Sequence, residues 1–136
     1  MTPAHRPEHV VHAAHEVAAY LVREAVSRLD TPGADTAPVL MGGGAIRAPW
    51  QARLRADVLG RPVLVSAEPD VSPRGAAMLA LVGAGECPDL RAAHRALGPN
   101  VRRYEADPRR SARYDELFTA WRTVRAAIRS AGEPGR

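Results

Sequence analysis

Three consecutive glycines, Gly42-Gly43-Gly44, stand between the short apolar run Pro38-Val39-Leu40-Met41 and a segment opening at Pro49 in which Trp50, Leu54, Val58 and Leu59 recur at helical spacing. No other feature constrains the fold as strongly. A brief apolar run bounded by turn formers reads as a buried strand. Glycine takes up backbone conformations that other residues resist, and proline suits a first helical turn. The predicted unit is strand, tight turn and helix, with Gly60 ending the helix. Such a turn leaves backbone amides and the positive end of a helix beside a crevice where an anion or nucleotide can approach the chain. The same glycines serve equally well in a turn that holds no ligand. The spacing is not the dinucleotide pattern, because the third glycine of G-x-G-x-x-G would fall at Arg47.

Around this unit the chain alternates between helix and strand signals. Val10, Ala14, Val17, Ala18, Leu21, Ala25 and Leu29 recur at helical spacing, predicting one long helix over 7–29 with that stripe as its buried face. Asp30 to Ala37 is a turn cluster. Pro62-Val63-Leu64-Val65 reads as a second strand, and Ser72-Pro73 opens a helix that runs to about Val82, where Gly83 and Gly85 stop it. A weaker helix from Asp89 to Leu97, an extended arm from Val101 to Tyr104 and a final helix from Pro108 to Ser130 complete the chain. That order belongs to the α/β class, helix-rich with a small sheet.

A length of 136 residues allows one ordinary domain. The apolar fraction of 46% can build a core, while aromatics at 4% leave the packing to Ala, Val and Leu. Two strands are too few to cover so many helices. The expectation is a single partial domain over 1–136, with strand-turn-helix at 38–60, strand-helix at 62–85, and arm plus helix at 101–130.

The basic residues exclude several chemistries, since all 19 are Arg and no Lys occurs. A phosphate-binding P-loop, a protein-kinase strand lysine and a pyridoxal Schiff base each need that Lys. One cysteine, Cys87, rules out an internal disulfide framework. No run nears 18 apolar residues and the N-terminus lacks an apolar leader core, so a cytoplasmic protein with no membrane segment is expected.

The net charge of +4 resides in 101–130, where eight Arg face Glu105, Asp107, Asp115 and Glu116. With Tyr104, Tyr114, Phe118 and Trp121 nearby, a basic nucleic-acid surface is one reading. Periodicity opposes it. Tyr114, Leu117, Phe118, Trp121, Val124 and Ile128 form one apolar stripe, which turns the aromatics toward a core and leaves Arg122, Arg125 and Arg129 as a solvated ridge.

His5, His9, His12 and His15 are spaced so that pairs share a helix face near Glu8 and Glu16, but a third rigid ligand is lacking and no metal site is expected. Glu16 and Asp57 lie among many Arg and are expected to pair with them. Cys87 has no activating histidine beside it in sequence. Gly75-Ala76-Ala77 permits close helix packing. No catalytic residue is assigned.

Taken together, PVLMGGGAIRAPWQARLRADVLGRPV, Glu68, PRGAAMLALVGAG and RRYEADPRRSARYDELFTAWRTVRAAIRS resemble, in order and spacing, the C-terminal part of the FGGY-family carbohydrate kinases, the xylulokinase, gluconokinase and ribulokinase group. The family pattern there is a strand, GGGA-x-S/N-x-x-W, an Ala-Asp-Val-Leu-Gly helix end, Pro-Val, a Glu and a Gly-Ala-Ala helix. In the preceding helix His12 replaces the family's Arg and Val17 its Gly.

The resemblance implies part of an actin-like, ribonuclease-H-like fold in which ATP, with Mg2+, lies in a cleft between two domains and its γ-phosphate passes to a sugar or polyol hydroxyl. It also implies that the proton-accepting carboxylate, the sugar site and the phosphate-binding Gly-Thr loop lie upstream of Met1. Gly42, Gly43, Gly44 and Ala45 match the loop that passes the adenosine and its phosphates, and Arg47 falls where the family has Ser or Asn. On this reading the chain alone is inactive and its ligands are ATP and ADP; the alternative is a subunit of a split two-chain kinase, completed by a partner chain that supplies the missing N-terminal kinase domain.

Overall fold

The computed structural model describes residues 6–29, 37–43, 46, 48–67, 72–98 and 100–132. The turn cluster at 30–36, Glu68, and tail residues 133–136 lie outside them. In chain order the elements are α1 (Pro7–Leu29), β1 (Val39–Met41), α2 (Pro49–Leu59), β2 (Val63–Ser66), α3 (Ser72–Gly83), α4 (Leu90–Leu97), β3 (Val101–Tyr104) and α5 (Pro108–Gly132).

Among the described residues the sheet has three strands in the order β1-β2-β3. β1 runs parallel to β2, with Val39 opposite Val63 and Met41 opposite Val65. A parallel neighbour needs a crossover, and α2 supplies it. The segment expected to be an extended arm, 101–104, is extended and also pairs as β3, antiparallel to β2 with Tyr104 opposite Val63 and Val101 opposite Ser66. Its four residues pair because the second edge of β2 has amides and carbonyls to satisfy. The Ala67 amide, donating to the Asn100 carbonyl at 2.9 Å, extends that ladder.

α2 occupies the centre of the packing. Ala52 and Ala56 press against Val63, Val65 and Ile46 on the sheet side, their small side chains letting the helix approach the strands. Leu54 and Val58, on the other side, join Ala19 and Tyr20 of α1 and Phe118 of α5, with Tyr114, Leu117 and Trp121 packed around them. Gly60 closes α2 in the left-handed conformation, φ 67°, its amide donating to the Ala56 carbonyl at 2.9 Å.

Three expected burials do not occur. The apolar stripe of α1 faces outward: Val10, Val17, Leu21 and Leu29 are exposed, as are Ala14 and Ala25, and only Ala18 is half-buried. The packed face carries Glu16, Ala19, Tyr20 and Arg23, which at about 100° per residue lie opposite the stripe. This face holds by polar contacts as well as apolar ones. The Tyr114 hydroxyl donates to Glu16 at 3.0 Å, and Arg23 donates to the Val58 carbonyl at 2.9 Å and to Asp115 at 2.6 Å. Burial, with Glu16 beside it, pushes the Tyr114 phenol well above the usual tyrosine range.

β1 is likewise not a buried strand, because Leu40 is 68% exposed on a strand with one hydrogen-bonded neighbour among the described residues. In α5 the apolar stripe packs only as far as Trp121, beyond which Val124 and Ile128 face solvent. Arg125 is not part of a solvated ridge either. It lies 5.0 Å from the Trp121 ring centre and binds Glu24 of α1, whose carboxyl is held below its ordinary range chiefly by that bond.

Candidate functional site at the glycine turn

Local chemistry shapes both Gly43 and the start of α2. Gly43 has φ +85°, a conformation that L side chains rarely adopt, and a Cβ built there would meet nothing within 4 Å. Backbone conformation, and not crowding, therefore accounts for glycine at this position. The Ile46 amide donates to the Gly43 carbonyl at 3.4 Å, and the Ile46 side chain inserts into the cluster with Val63 and Val65. At the start of α2 the Gln51 side chain accepts from the Ala48 amide at 3.1 Å while the Gln51 amide donates to the Ala48 carbonyl at 3.0 Å. This is one half of a capping box, since alanine has no side-chain acceptor to complete it.

The other end of α2 is held by Asp57, 4% exposed. Its carboxylate accepts from the Asp107 amide at 2.8 Å and meets Arg110 at 3.5 Å. Asp107 in turn accepts from the amides of Arg109 and Arg110 at 2.9 and 3.1 Å, capping α5. Those amides, Arg110 foremost, hold the Asp107 carboxyl below its ordinary range. Asp57 thus fixes the helix behind the turn to α5, the structural role expected of it.

On the sheet face turned away from α2 lies a cavity of about 560 Å3, lined by Leu40, Gly42, Leu64, Ser66, Arg74 and Met78 among others. Its volume falls in the range of small-molecule sites. The walls come from β1, β2 and α3, and Gly42 places the glycine turn at its margin. His94 and Asn100 add polar lining, and the Arg74 guanidinium donates to the Gly98 carbonyl just beyond α4. Sequence reasoning missed Arg74, His94 and Asn100. Arg74 stands immediately before the Gly-Ala-Ala stretch, but only the packing of α3 against α4 brings it near His94 and Asn100.

Of the residues matched to a nucleotide loop, Gly42 lines the cavity and Gly43 makes the turn, whereas Gly44, Ala45 and Arg47 lie outside the described residues. Gly75 lines the cavity while Ala76 and Ala77 are exposed, so that stretch makes no close helix contact on their side. Of the four spaced histidines, His5 lies outside the described residues and the other three make local contacts. His9 accepts from the Arg6 amide at 3.1 Å, and His12 and His15 lie against the Trp50 ring at 6.2 and 4.8 Å. Among the described residues no three His, Cys, Asp or Glu side chains converge as metal ligands, and no helix is long and apolar enough to cross a membrane. Cys87 is buried.

Comparison with known proteins places this arrangement. Residues 1–84 match the FGGY family of carbohydrate kinases, C-terminal domain. Glycerol kinase 1 of Thermotoga maritima is 33% identical over 122 residues, covering 88% of this chain and 24% of that protein. Glycerol kinase of Alkalilimnicola ehrlichii is 33% identical over 113 residues, covering 80% of this chain and 23% of that protein. The crystal structure of xylulose kinase from Rhodospirillum rubrum superposes with a TM-score of 0.76 at 27% identity, over 96% of this chain and 26% of that one. Ligand-bound xylulose kinase from Lactobacillus acidophilus gives 0.77 at 21% identity, a likeness of fold. The chain spans about a quarter of the length of these relatives. Its three-stranded sheet with flanking helices is accordingly part of an actin-like ATPase fold, and the chain belongs to the FGGY family of carbohydrate kinases, in the C-terminal domain.

Proposed function

We propose that the chain is the nucleotide-side portion of an ATP-dependent carbohydrate kinase, with the glycine turn after β1 receiving the adenosine end of ATP. The observation that carries this reading is the geometry of Gly43. Its left-handed turn presents bare backbone, with open space where a side chain would stand, so a ligand can approach the main chain closely. Ile46, packed with Val63 and Val65, and Gln51, bonded to the Ala48 amide, anchor the chain between Gly43 and α2. Mg2+ would enter with the phosphates, whose oxygens are its natural ligands.

Phosphoryl transfer rests on positioning and charge stabilisation, together with a carboxylate that takes the hydroxyl proton. Four of the described carboxylates are engaged in structure instead. Asp57 and Asp107 are committed to the start of α5, and Glu16 and Glu24 to Tyr114 and Arg125. By itself the chain binds nucleotide and transfers nothing.

Calorimetric titration with ATP and ADP tests this on the wild type, Gly43→Asn and Gly43→Asp. Asn and Asp are the side chains that best tolerate a left-handed backbone, so the two variants share any strain and differ in charge. Gly43→Asp is expected to bind at least about tenfold more weakly than Gly43→Asn, a difference of about 1.4 kcal/mol. Equal affinities for the two variants, or no binding by the wild type, would overturn the assignment. Phosphorylation of glycerol, gluconate or a pentose by the pure chain would overturn its inactivity.

A further inference from the structure

A chain of polar and aromatic contacts through His12 joins the first half of α1 to both α2 and α5. The His12 Nε2 lies 3.4 Å from the Glu16 carboxylate, and the same carboxylate accepts from the Tyr114 hydroxyl of α5 at 3.0 Å. On its other side the His12 ring stacks with the Trp50 indole of α2, 6.2 Å between centres and 30° between planes. His15, one turn on, meets that indole edge to face at 4.8 Å and 82°. Trp50 is the second residue of α2. Beside it Gln51 bonds to the Ala48 amide, and the Ile46 amide reaches back to the Gly43 carbonyl. At 43% exposure the indole stands outside both core clusters, so these ring contacts bear on where it sits.

Histidine is the side chain that ordinarily takes up its charge between about pH 5 and 8. A charged His12 gains on both sides, from the ion pair with Glu16 and from the attraction of a cation to an indole within roughly 6 Å. We propose that His12, Glu16 and Trp50 form a proton-responsive strut. When His12 is charged it ties Trp50 to α1, which fixes the first turn of α2 and with it the glycine turn, and nucleotide is held more tightly on the acid side of neutrality. Trp50 and His12 are thus positioning residues, acting through the turn without touching the ligand. The effect on nucleotide rests on the reading above. The surrounding charges set its size. On α1, Glu8 and His9 stand one turn earlier, Glu8 3.4 Å from Arg6. On α2, Arg53 follows Trp50 by one turn and Asp57 is bonded to the Asp107 amide. On α5, Tyr114 is bonded to Glu16 and Arg113 is near enough to act on Tyr20. Glu8 and Glu16 favour a charged imidazole, whereas Arg53 and Arg113 oppose it. His15 competes for the proton, because two imidazolium rings one turn apart repel. The gain is therefore modest.

ATP affinity is measured by calorimetry for the wild type, His12→Gln and His12→Arg at about pH 8 and about pH 5.5. Comparing variants at one pH cancels the protonation of the phosphates themselves. The His12 side chain is 51% exposed, so neither substitution disturbs the core. Gln keeps a hydrogen-bonding side chain without charge, while Arg is charged at both pH values and stacks on aromatic faces. His12→Gln should equal the wild type at the higher pH and bind about threefold more weakly at the lower one. His12→Arg should equal the wild type at the lower pH and bind about threefold more tightly at the higher one. Fluorine NMR of protein labelled with fluorotryptophan reads the strut without nucleotide. The Trp50 resonance, assigned by its loss in Trp50→Phe, should move between the two pH values in the wild type and hold still in the double variant His12→Gln, His15→Gln. A Trp50 resonance that ignores pH, or that moves equally in the double variant, overturns the strut. So do ATP affinities that keep the same ratios among the three proteins at both pH values. A Trp50 that titrates as expected in a protein binding no ATP upholds the strut and removes the nucleotide reading alone.

Discussion

α2 and α3 are near equals in length, 11 and 12 residues, and opposites in fate. α2 carries Arg53, Arg55 and Asp57, yet six of its residues are buried, two of those charged side chains among them. α3 reads Ser-Pro-Arg-Gly-Ala-Ala-Met-Leu-Ala-Leu-Val-Gly, with one charge, and buries none. Apolarity alone would rank them the other way. α2 is enclosed because elements meet it on both sides, the sheet on one and α1 with α5 on the other. α3 packs beside α4 and leaves a cavity between itself and the strands. Burial is a property of what stands opposite a residue, and α3 in this chain has too little opposite it.

Truncation gives the sharpest contrast between the two helices. Leu54→Ala, at the junction of α1, α2 and α5, should cost about 2–5 kcal/mol by removing buried methylenes and leaving a cavity. Leu79→Ala in α3, where the side chain is 62% exposed, should stay within about 0.5 kcal/mol. Urea unfolding midpoints at constant slope report both. Similar losses would mean that α3 is buried in solution by self-association.

A smaller effect tests how α2 is held. Asp57→Ala strands the Asp107 amide in a partly buried site and should destabilise by about 1–3 kcal/mol. Asp57→Asn keeps an acceptor and should recover part of that loss. Equal losses would show that the charge toward Arg110, and not the hydrogen bond, fixes α5 to α2.

The mildest effect is one of pH. Tyr114 has its phenol pushed upward by burial and by Glu16, so its contribution is whole below the ordinary tyrosine pKa of about 10 and declines as pH rises through the folded-state value. Urea midpoints in the wild type should fall as pH rises above about 10, the ordinary tyrosine pKa. Tyr114→Phe should fall less steeply. Tyr20, raised by the same causes, with burial first, leaves a residual slope. Parallel profiles would remove Tyr114 from the account.

Local patterns in the sequence carried a good deal of this. Pro7, Pro49, Ser72-Pro73 and Pro108 mark helix starts because proline tolerates only the first turn, and all four stand at observed boundaries. Gly60 marks an end for the converse reason. The residue set that resembles a carbohydrate kinase was equally legible, as were Gly42 and Gly43 as a turn. What the pattern could not show was orientation. The stripe Val10, Val17, Leu21 is a true helical face, but periodicity says only that a face exists and never which neighbour meets it.

The sequence by itself determined where helices begin and end, where the chain must turn, and which family it belongs to, because caps, prolines and glycines act within a few residues. Tertiary structure alone decided that Val101–Tyr104 is a strand, that Arg125 binds Glu24 instead of water, that α1 turns its most apolar face outward, and that Arg74, His94 and Asn100 meet at one cavity. Each of these depends on contacts between segments far apart in the chain, and such contacts exist only once the layers have packed.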